Sequence, residues 1–426
     1  MRDTAWTRRR FLKASALLGA GIAAPWTAPS RALALQQNAP SNRIAIGHIG
    51  VGGMGSGHLG GMIGNSRVRV VAVCDVDTSR RMAAKKRVED QYGQGYVCAE
   101  HNDFRDLLDR KDIDAVVIAV PDHWHALVAI YACKAGKDIY CEKPLTLTIE
   151  EGRTLVDTVR RYGRVFQVGS QQRSESNFRF ACELVRSGYI GKLHTIRTGF
   201  GASPQMGWEP EESPPPGLDW NLWLGPAPFK NYSKNRCFYQ FRWIYDYSGG
   251  QMTDWGAHHN DIAQWGNGTE LSGPTLIDGR GEFPKDGLWD TATKIHVEYS
   301  YKNGVKLICG EGHGAKFEGT DGWVHVDRGF LQTGPDELLR VKLGPNDVHL
   351  YESPGHHANW LDCIASRART ICDVEIGYRS VSVCHLGNIS MRLGRPVRWD
   401  PDAEKVLGDE EASRFLSKPM RAPWHL

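Results

Sequence analysis

The sequence lacks the cysteine spacing of a zinc site or of a disulfide-stapled domain. Ten cysteines are present among 426 residues, yet no two of them form a Cys-x-x-Cys pair, and several lie inside apolar segments. This placement is typical of buried thiols. We therefore expect no metal site and no disulfide that folding requires.

Two further absences narrow the functional class. Since no apolar run reaches the ~20 residues of a membrane-spanning helix, we expect no stable membrane anchor. The formal charge is only +3, from 52 Lys and Arg against 49 Asp and Glu, and no dense basic stripe is present. We therefore expect no nucleic-acid partner, because such binding needs a concentrated basic surface.

The first residues carry the pattern of an export signal. A twin-arginine motif, Thr-Arg-Arg-Arg-Phe-Leu-Lys at 7–13, precedes a small and apolar run at 14–24 and a small-x-small site at 32–34. The apolar run is too short to span a bilayer and is typical of a targeting segment. We expect residues 1–34 to be a twin-arginine signal peptide, read by the twin-arginine export machinery, and the mature protein to be periplasmic or otherwise exported.

A glycine-rich turn between two strand-like segments carries the strongest functional signal. An apolar segment at 44–49 leads into a Gly-x-Gly-x-x-Gly motif, and a second apolar segment at 68–74 ends immediately before Asp75. The glycines permit a tight turn, close approach of a pyrophosphate and close helix packing, and the helix N-terminus favours the anion. Asp75 can accept hydrogen bonds from ribose hydroxyls and repels a 2′-phosphate, so we predict NAD rather than NADP. The residues assigned to this part of the cofactor site are Gly50, Gly52, Gly53, Met54, Gly55 and Asp75.

The order of the segments predicts two domains. Strands and helices alternate over residues 43–170, which indicates an α/β Rossmann domain with a doubly wound parallel sheet. Residues 171–426 are expected to form an α+β substrate-binding domain with a mainly antiparallel sheet, closed by helices near 357–367 and 380–393. The connection at 203–229 has seven prolines and three tryptophans. Because disordered linkers are poor in aromatics, we expect this connection to be an ordered loop that packs on the domain or lines a cleft.

Three further motifs accompany the glycine turn. They are Pro121-Asp122-His123-Trp124-His125, Ala135-Gly136-Lys137 leading to Glu142-Lys143-Pro144, and Gly-Gly-Gln-Met-Thr-Asp-Trp-Gly-Ala-His-His-Asn-Asp at 249–261. With the turn, they resemble the Gfo/Idh/MocA oxidoreductases, the glucose-fructose oxidoreductase and inositol dehydrogenase group, over essentially the whole mature chain. The Trp-Gly-Ala-His-His stretch and the segment 220–226 most resemble the exported bacterial branch.

The resemblance implies a sugar or polyol substrate and a set of site residues. It places Lys143, Asp254 and His258 around the reacting carbinol, against the nicotinamide. We further assign to the cofactor side Pro121, His123, His125, Glu142 and Lys143. Four residues are assigned to the substrate: Arg173, Arg242, Trp255 and Asp261. We also expect a homo-oligomer.

Alcohol oxidation requires a proton acceptor and a hydrogen-bond donor to the substrate oxygen. The hydroxyl proton must be removed while negative charge develops on oxygen. His258 can exchange that proton near neutral pH, and Lys143 can donate to the oxygen. If Asp254 and His258 lie in one helical turn, their i, i+4 spacing lets Asp254 fix the tautomer of the His258 imidazole.

Alternatives remain open at this point. His258 and His259 are also compatible with a metal site formed with Asp254, Asp261 or the pair at 356–357, although hydride transfer needs no metal. His123 and His125 are equally compatible with helix capping. A hydrolase or epimerase that oxidises its glycoside transiently with bound NAD is the second functional class. The related glycosidases generally lack the Glu-Lys-Pro lysine, which favours the oxidoreductase here. A binding protein that has lost the chemistry is the third class.

Overall fold

Six parallel strands form the first sheet of the computed structural model, which describes residues 43–310 and 312–426. The strands are β1 Ile44–Ile49, β2 Val68–Cys74, β3 Ala99–His101, β4 Ala115–Ile118, β5 Asp138–Cys141 and β6 Phe166–Val168. Their order in the sheet is β3-β2-β1-β4-β5-β6, and every pair is parallel. β4 and β5 are buried at every position, as strands covered on both faces must be. The predicted doubly wound sheet is confirmed.

Helices cover this sheet at the expected places. They are α1 Gly53–Ile63, α2 Thr78–Tyr92, α3 Phe104–Leu108, α4 Asp122–Lys134 and α5 Ile149–Tyr162. α5 starts with a capping box, in which the Thr148 hydroxyl accepts from the Glu151 backbone N–H and the Glu151 carboxylate accepts from that of Thr148. α4 begins at Asp122, directly after Pro121, which places Asp122 in the first helical turn.

The second sheet has nine strands and is antiparallel except for one pair. Its order is β13-β12-β11-β7-β10-β9-β8-β14-β15, and only β7 and β10 pair in parallel among the described strands. The strands are β7 Leu193–Gly199, β8 Leu276–Glu282, β9 Lys294–Ser300, β10 Lys306–Cys309, β11 Gly314–Gly319, β12 Trp323–Asp327, β13 Phe330–Gly334, β14 Val397–Asp400 and β15 Lys405–Val406. The accompanying helices are α6 Ser176–Arg186, α7 Trp220–Leu224, α8 Gln251–Asp254, α9 Gly256–Asn267, α10 His356–Ser366, α11 Val374–Leu393 and α12 Glu410–Arg414. The predicted α+β architecture is confirmed.

Two differences from the expected elements have a packing explanation. Strand β8 contains glycines, which disfavour a strand locally, but a Cβ on Gly279 would lie 2.9 Å from the backbone nitrogen of Met391 in α11. Helix α11 begins at Val374 rather than at Ser380, because the side chain of Asp373 caps it. Its Gly377 lies against Val168 of β6, where a Cβ would be 2.5 Å from a methyl carbon. Close approach of α11 to both sheets therefore depends on glycine.

The elements from Ile44 to Leu426 belong to one compact unit. His356 at the start of α10 donates through Nε2 to the carbonyl of Val168 at 2.8 Å, which ties the C-terminal helices to the first sheet. The predicted signal peptide lies outside the described residues. Within residues 43–310 and 312–426, no helix has the length and apolar character to cross a membrane, and no three His, Cys, Asp or Glu side chains converge as a metal site. All ten cysteines are buried free thiols.

Candidate active site

A cavity of about 560 Å³ lies at the carboxyl end of the parallel sheet. This volume is in the range of small-molecule sites. The predicted cofactor residues that line the cavity are Gly50, Gly52, Gly53, Met54, Asp75, Pro121, His125, Glu142 and Lys143. The facing wall contains Leu218, Leu222 and Trp223 from the aromatic-rich connection, followed by Phe238 and Arg242. Part of that connection therefore lines the cleft, which is one of the two placements expected for it.

The glycine turn is shaped to receive an anion. Gly50 has φ +81°, and a Cβ there would lie 2.4 Å from the carbonyl oxygen of Ala119. A Cβ on Gly55 would lie 2.0 Å from the carbonyl oxygen of Gly50, so Gly55 serves helix packing and does not line the cavity. Gly53 has no atom within 4 Å of such a Cβ. Because α1 has neither a side-chain cap nor an acidic residue in its first turn, its terminal N–H groups suit a pyrophosphate.

Asp75 is held by the backbone at the edge of the cavity. Its Oδ2 accepts from the Val51 N–H and its Oδ1 from the Asp77 N–H, both at 2.9 Å. Burial raises the pKa of this carboxyl, although the two backbone bonds oppose the shift. Arg80, which was not predicted, lines the same end of the cavity with its guanidinium carbon 4.1 Å from the Phe238 ring centroid. The arrangement fits an adenosine ribose at Asp75.

Asp75→Ala should weaken NAD binding by roughly ten- to a hundredfold and narrow the preference for NAD over NADP. The substitution removes the acceptor for ribose hydroxyls and the charge that opposes a 2′-phosphate. Fluorescence titration with both nucleotides measures the change. Asp75→Asn retains a carbonyl acceptor for the backbone and isolates the effect of the charge, and Asp90→Ala on the exposed face of α2 is the control. A wild-type preference for NADP would contradict the assignment of Asp75.

Lys143 and Asp254 form the centre of the site. Lys143 follows β5, and its Nζ lies 2.6 Å from Asp254 Oδ1 and 3.1 Å from the Asp254 carbonyl oxygen. Arg242 Nε lies 3.6 Å from the same carboxylate oxygen. Burial alone raises the pKa of Asp254, but the charges of Lys143 and Arg242 outweigh it and the net pKa is lowered. Asp254 is therefore ionised at neutral pH, and its negative charge holds both cations.

His258 feels the charge of Lys143, but it is not in the cavity lining and is not hydrogen-bonded to Asp254 among the described contacts. Asp254 ends α8 while His258 lies in the separate helix α9, and no hydrogen bond joins the two side chains among the described contacts. The expectation that Asp254 fixes the tautomer of His258 is therefore corrected: the two residues lie in separate helices, and Asp254 Oδ1 accepts from Lys143 instead. Burial, and next the charge of Lys143, lower the pKa of His258 well below its usual value. His258 is thus a neutral imidazole at pH 7.

Asp122 is a site residue that the motif analysis did not select. It lines the cavity and is only 5% exposed, and its Oδ2 accepts from the Ser248 hydroxyl at 2.5 Å. Burial raises its pKa to about 7, with Asp254 adding to the shift and Arg242 and Lys143 opposing it. Its position immediately after β4 and Pro121 was the available signal, because ligands bind at the carboxyl ends of parallel strands.

Seven predicted site residues are not in the cavity lining: Gly55, Asp254 and His258, discussed above, and the four that follow. His123 donates through Nε2 to the Trp223 carbonyl at 3.0 Å, so it holds the facing wall rather than the cofactor. Arg173 and Asp261 form a buried ion pair at 2.6 Å, each side chain 1% exposed, and do not line the cavity. Trp255 lies outside the lining too, with the Arg328 guanidinium over its ring. Of the predicted substrate residues, Arg242 alone is in the lining.

His125 lines the cavity with a nitrogen free for a ligand. Its Nδ1 donates to the Pro144 carbonyl at 2.7 Å, which leaves Nε2 as the acceptor. Nε2 is buried and has no hydrogen-bond partner among the described residues. A buried polar atom without a partner is costly, so its presence beside Glu142 and Lys143 fits a bound polar ligand there.

Comparison with known proteins identifies two family models in this chain. The oxidoreductase family model of the NAD-binding Rossmann fold, GFO_IDH_MocA, matches residues 44–170. The model of the oxidoreductase family C-terminal alpha/beta domain, GFO_IDH_MocA_C2, matches residues 196–426. Together they span both sheets of the structure.

Several curated proteins are similar in sequence to part or most of this chain. Uncharacterized oxidoreductase YrbE of Bacillus subtilis is 26% identical over 377 residues, covering 84% of this chain and 97% of the relative. Inositol 2-dehydrogenase of Salmonella typhimurium is 34% identical over 151 residues, covering 35% of this chain and 43% of the relative. A glycosyl hydrolase family 109 protein of Shewanella pealeana is 31% identical over 204 residues, covering 44% of each.

Solved structures with the same fold include two sugar-acting enzymes. Levoglucosan dehydrogenase in complex with NADH and levoglucosan has a TM-score of 0.61 at 20% identity, covering 84% of this chain and 99% of that chain. Aldose-aldose oxidoreductase from Caulobacter crescentus complexed with glycerol has a TM-score of 0.60 at 16% identity, with the same coverage. At these identities the likeness establishes the fold. With both family models matched, the chain belongs to the Gfo/Idh/MocA oxidoreductase family, and its Rossmann domain binds NAD.

Proposed function

We propose that this protein is an NAD(H)-dependent oxidoreductase acting on a CH–OH group of a sugar, a sugar derivative or a polyol. The observation that carries the proposal is the Lys143–Asp254 pair at the carboxyl edge of the parallel sheet, near a glycine turn whose shape suits a pyrophosphate. His258, whose pKa the charge of Lys143 helps to lower, is the third member of the proposed site. The names of related proteins, inositol 2-dehydrogenase and levoglucosan dehydrogenase, support a polyhydroxylated substrate.

Lys143, His258 and Asp254 each have a separate role in the proposed alcohol oxidation. Bound NAD supplies the hydride acceptor. The Lys143 ammonium has three N–H donors, of which two point at Asp254, so the third is available to the substrate oxygen. Its positive charge stabilises the negative charge that develops there. His258 is neutral and accepts the hydroxyl proton, and Asp254 keeps Lys143 and Arg242 in place by charge.

A second candidate is an NAD-dependent glycoside hydrolase or epimerase that works through a transient keto-sugar. The similarity to glycosyl hydrolase family 109 proteins favours it. The presence of Lys143 favours the oxidoreductase. Incubation with a panel of sugars, polyols and glycosides, with bound-cofactor absorbance and product masses followed together, separates the two. An oxidised product with a lasting change at the nicotinamide band supports the oxidoreductase, whereas hydrolysis or inversion without net cofactor reduction supports the alternative.

We also propose that the protein is exported by the twin-arginine pathway with its cofactor already bound. Outside the cytoplasm no comparable NAD pool exists, so a protein that released NADH would stop after one cycle. The cavity wall formed by Leu218, Leu222 and Trp223 supplies contacts beyond the pyrophosphate turn, which suits tight retention.

Protein isolated from the extracytoplasmic fraction should therefore carry near-stoichiometric NAD(H) without added nucleotide and turn over with ping-pong kinetics. Cell fractionation, nucleotide extraction and two-substrate kinetics measure this. Replacement of Arg8 and Arg9 by Lys is the control for export and should hold the protein in the cytoplasm. If the dialysed protein contains no nucleotide and is active only with millimolar NAD, the proposal that the cofactor stays bound through the catalytic cycle is refuted.

A further inference from the structure

A hydrogen-bonded chain of side chains leads from the cavity toward the protein surface. Glu142, which lines the cavity, lies with Oε1 2.8 Å from His58 Nε2. His58 Nδ1 lies 3.0 Å from His357 Nε2. The three residues come from the end of β5, from α1 and from α10, so only the fold brings them together.

The chain is buried at one end and reaches solvent at the other. Glu142 and His58 are 4% and 6% exposed, whereas His357 is only partly buried. The Nδ1 of His357 has no partner among the described side chains and is not among the buried unpaired atoms, so it forms the outer end of the chain.

His357 is not needed to satisfy Glu142. Glu142 Oε1 also accepts from Gln171 Nε2 at 2.8 Å, and Oε2 accepts from the Lys143 backbone N–H at 3.2 Å. A neutral imidazole carries one proton on two nitrogens, so it can take a proton on one nitrogen while it releases a proton from the other. Burial, and next the charge of His58, lower the pKa of His357 to about 4, so this ring is neutral at pH 7.

We propose that Glu142, His58 and His357 form a proton relay between the catalytic cavity and solvent. The inference rests on the proposed hydride transfer. Oxidation of one CH–OH to C=O gives one hydride to NAD⁺ and one proton to the protein. A proton left near Lys143 and Arg242 would face two positive charges in a buried site, which is unfavourable.

The relay moves that proton without leaving a net charge behind. Outward movement starts with both rings protonated on Nδ1. The proton of the substrate hydroxyl, first accepted by His258, reaches the Glu142 carboxylate through the cavity and passes to His58 Nε2, while His58 Nδ1 gives its proton to His357 Nε2 and His357 Nδ1 releases one to water. Both rings are then protonated on Nε2, with His58 donating to Glu142 and His357 donating to His58, and they return to the Nδ1 tautomer by exchange with water before the next outward transfer. Reduction of a carbonyl runs these steps in reverse and starts from the rings protonated on Nε2, as they are when His58 donates to Glu142. The ionisable groups that face the relay are His48, His125, Tyr140, Lys143 and His356.

His357→Ala tests the relay because it removes only the outer end. We expect kcat to fall by roughly tenfold, with a larger solvent isotope effect in D₂O, unchanged KM and unchanged NAD affinity, and recovery when free imidazole is added. His349→Ala, an exposed histidine bonded to a backbone carbonyl, is the matched control and should show none of these changes. Unchanged kcat and isotope effect, or a loss that imidazole does not restore, would overturn the relay.

A second readout does not depend on turnover. In ¹⁵N-histidine spectra of the NAD-bound protein, exchange of the His58 ring proton with water should slow by roughly tenfold in His357→Phe, because the phenyl ring fills the space of the imidazole but has no nitrogen to pass the proton on. Unchanged exchange would refute the relay even if the enzyme is active. Slowed exchange in a protein without dehydrogenase activity would keep the relay and refute the proposed function, so the two failures are distinguishable.

Discussion

Lys143→Met is expected to lower kcat by roughly ten- to a thousandfold while the affinity for NAD stays nearly unchanged. The substitution keeps the aliphatic stem and removes the ammonium that stabilises charge on the substrate oxygen. The ammonium lies at Asp254, 2.6 Å from Oδ1, and not on the glycine turn. Single-turnover absorbance at the nicotinamide band measures the rate of the chemical step, and fluorescence titration measures NAD binding.

Two controls make this result specific to the site. Lys86→Ala removes an exposed lysine paired with Asp90 at i, i+4 and should change neither quantity. His258→Ala should reproduce the loss in kcat, because the proton acceptor is then missing. Wild-type turnover in the Lys143 variant would remove this lysine from the mechanism. A parallel loss of NAD binding would instead assign it to the cofactor site.

Arg173→Met is expected to destabilise the protein by roughly 3–5 kcal/mol, because it breaks a buried ion pair by removing one partner. Arg173 and Asp261 are each 1% exposed and lie 2.6 Å apart, and Arg173 Nη1 also reaches Glu270 at 3.0 Å. Without the guanidinium, Asp261 keeps only the Ser380 hydroxyl on Oδ1. The apparent melting temperature and the urea midpoint measure the loss.

The same substitution decides between a structural and a substrate role for Arg173. Asp90→Ala breaks the exposed Lys86–Asp90 pair and should cost about 0–1 kcal/mol. The double variant Arg173→Met/Asp261→Leu should recover part of the stability, since no unpaired buried charge remains. A stable Arg173→Met protein with a raised KM would restore the substrate assignment that the sequence motif suggested.

Neighbouring residues carried enough information to predict the cofactor half of the site. The glycine turn, the flanking apolar strands and Asp75 lie within one strand-helix-strand unit, whose local geometry follows from the sequence order. The parallel sheet followed from short, wholly apolar strands such as β4. Strand β8 has no such local signal, because its glycines lower the local strand propensity. Their role is close contact with Met391, a residue far away in the sequence.

The catalytic half depended on tertiary structure. Lys143 and Asp254 are separated by 111 residues, and Asp122 and Ser248 by 126. The proposed relay joins positions separated by 84 and by 299 residues. Motif spacing names the residue types but not their partners, which is why Asp254 was assigned to His258 when it in fact holds Lys143. Arg173 and Asp261 lay in or near recognised motifs, yet burial made them an ion pair within the protein, because a charge taken out of water is stabilised by the nearest opposite charge that packing supplies.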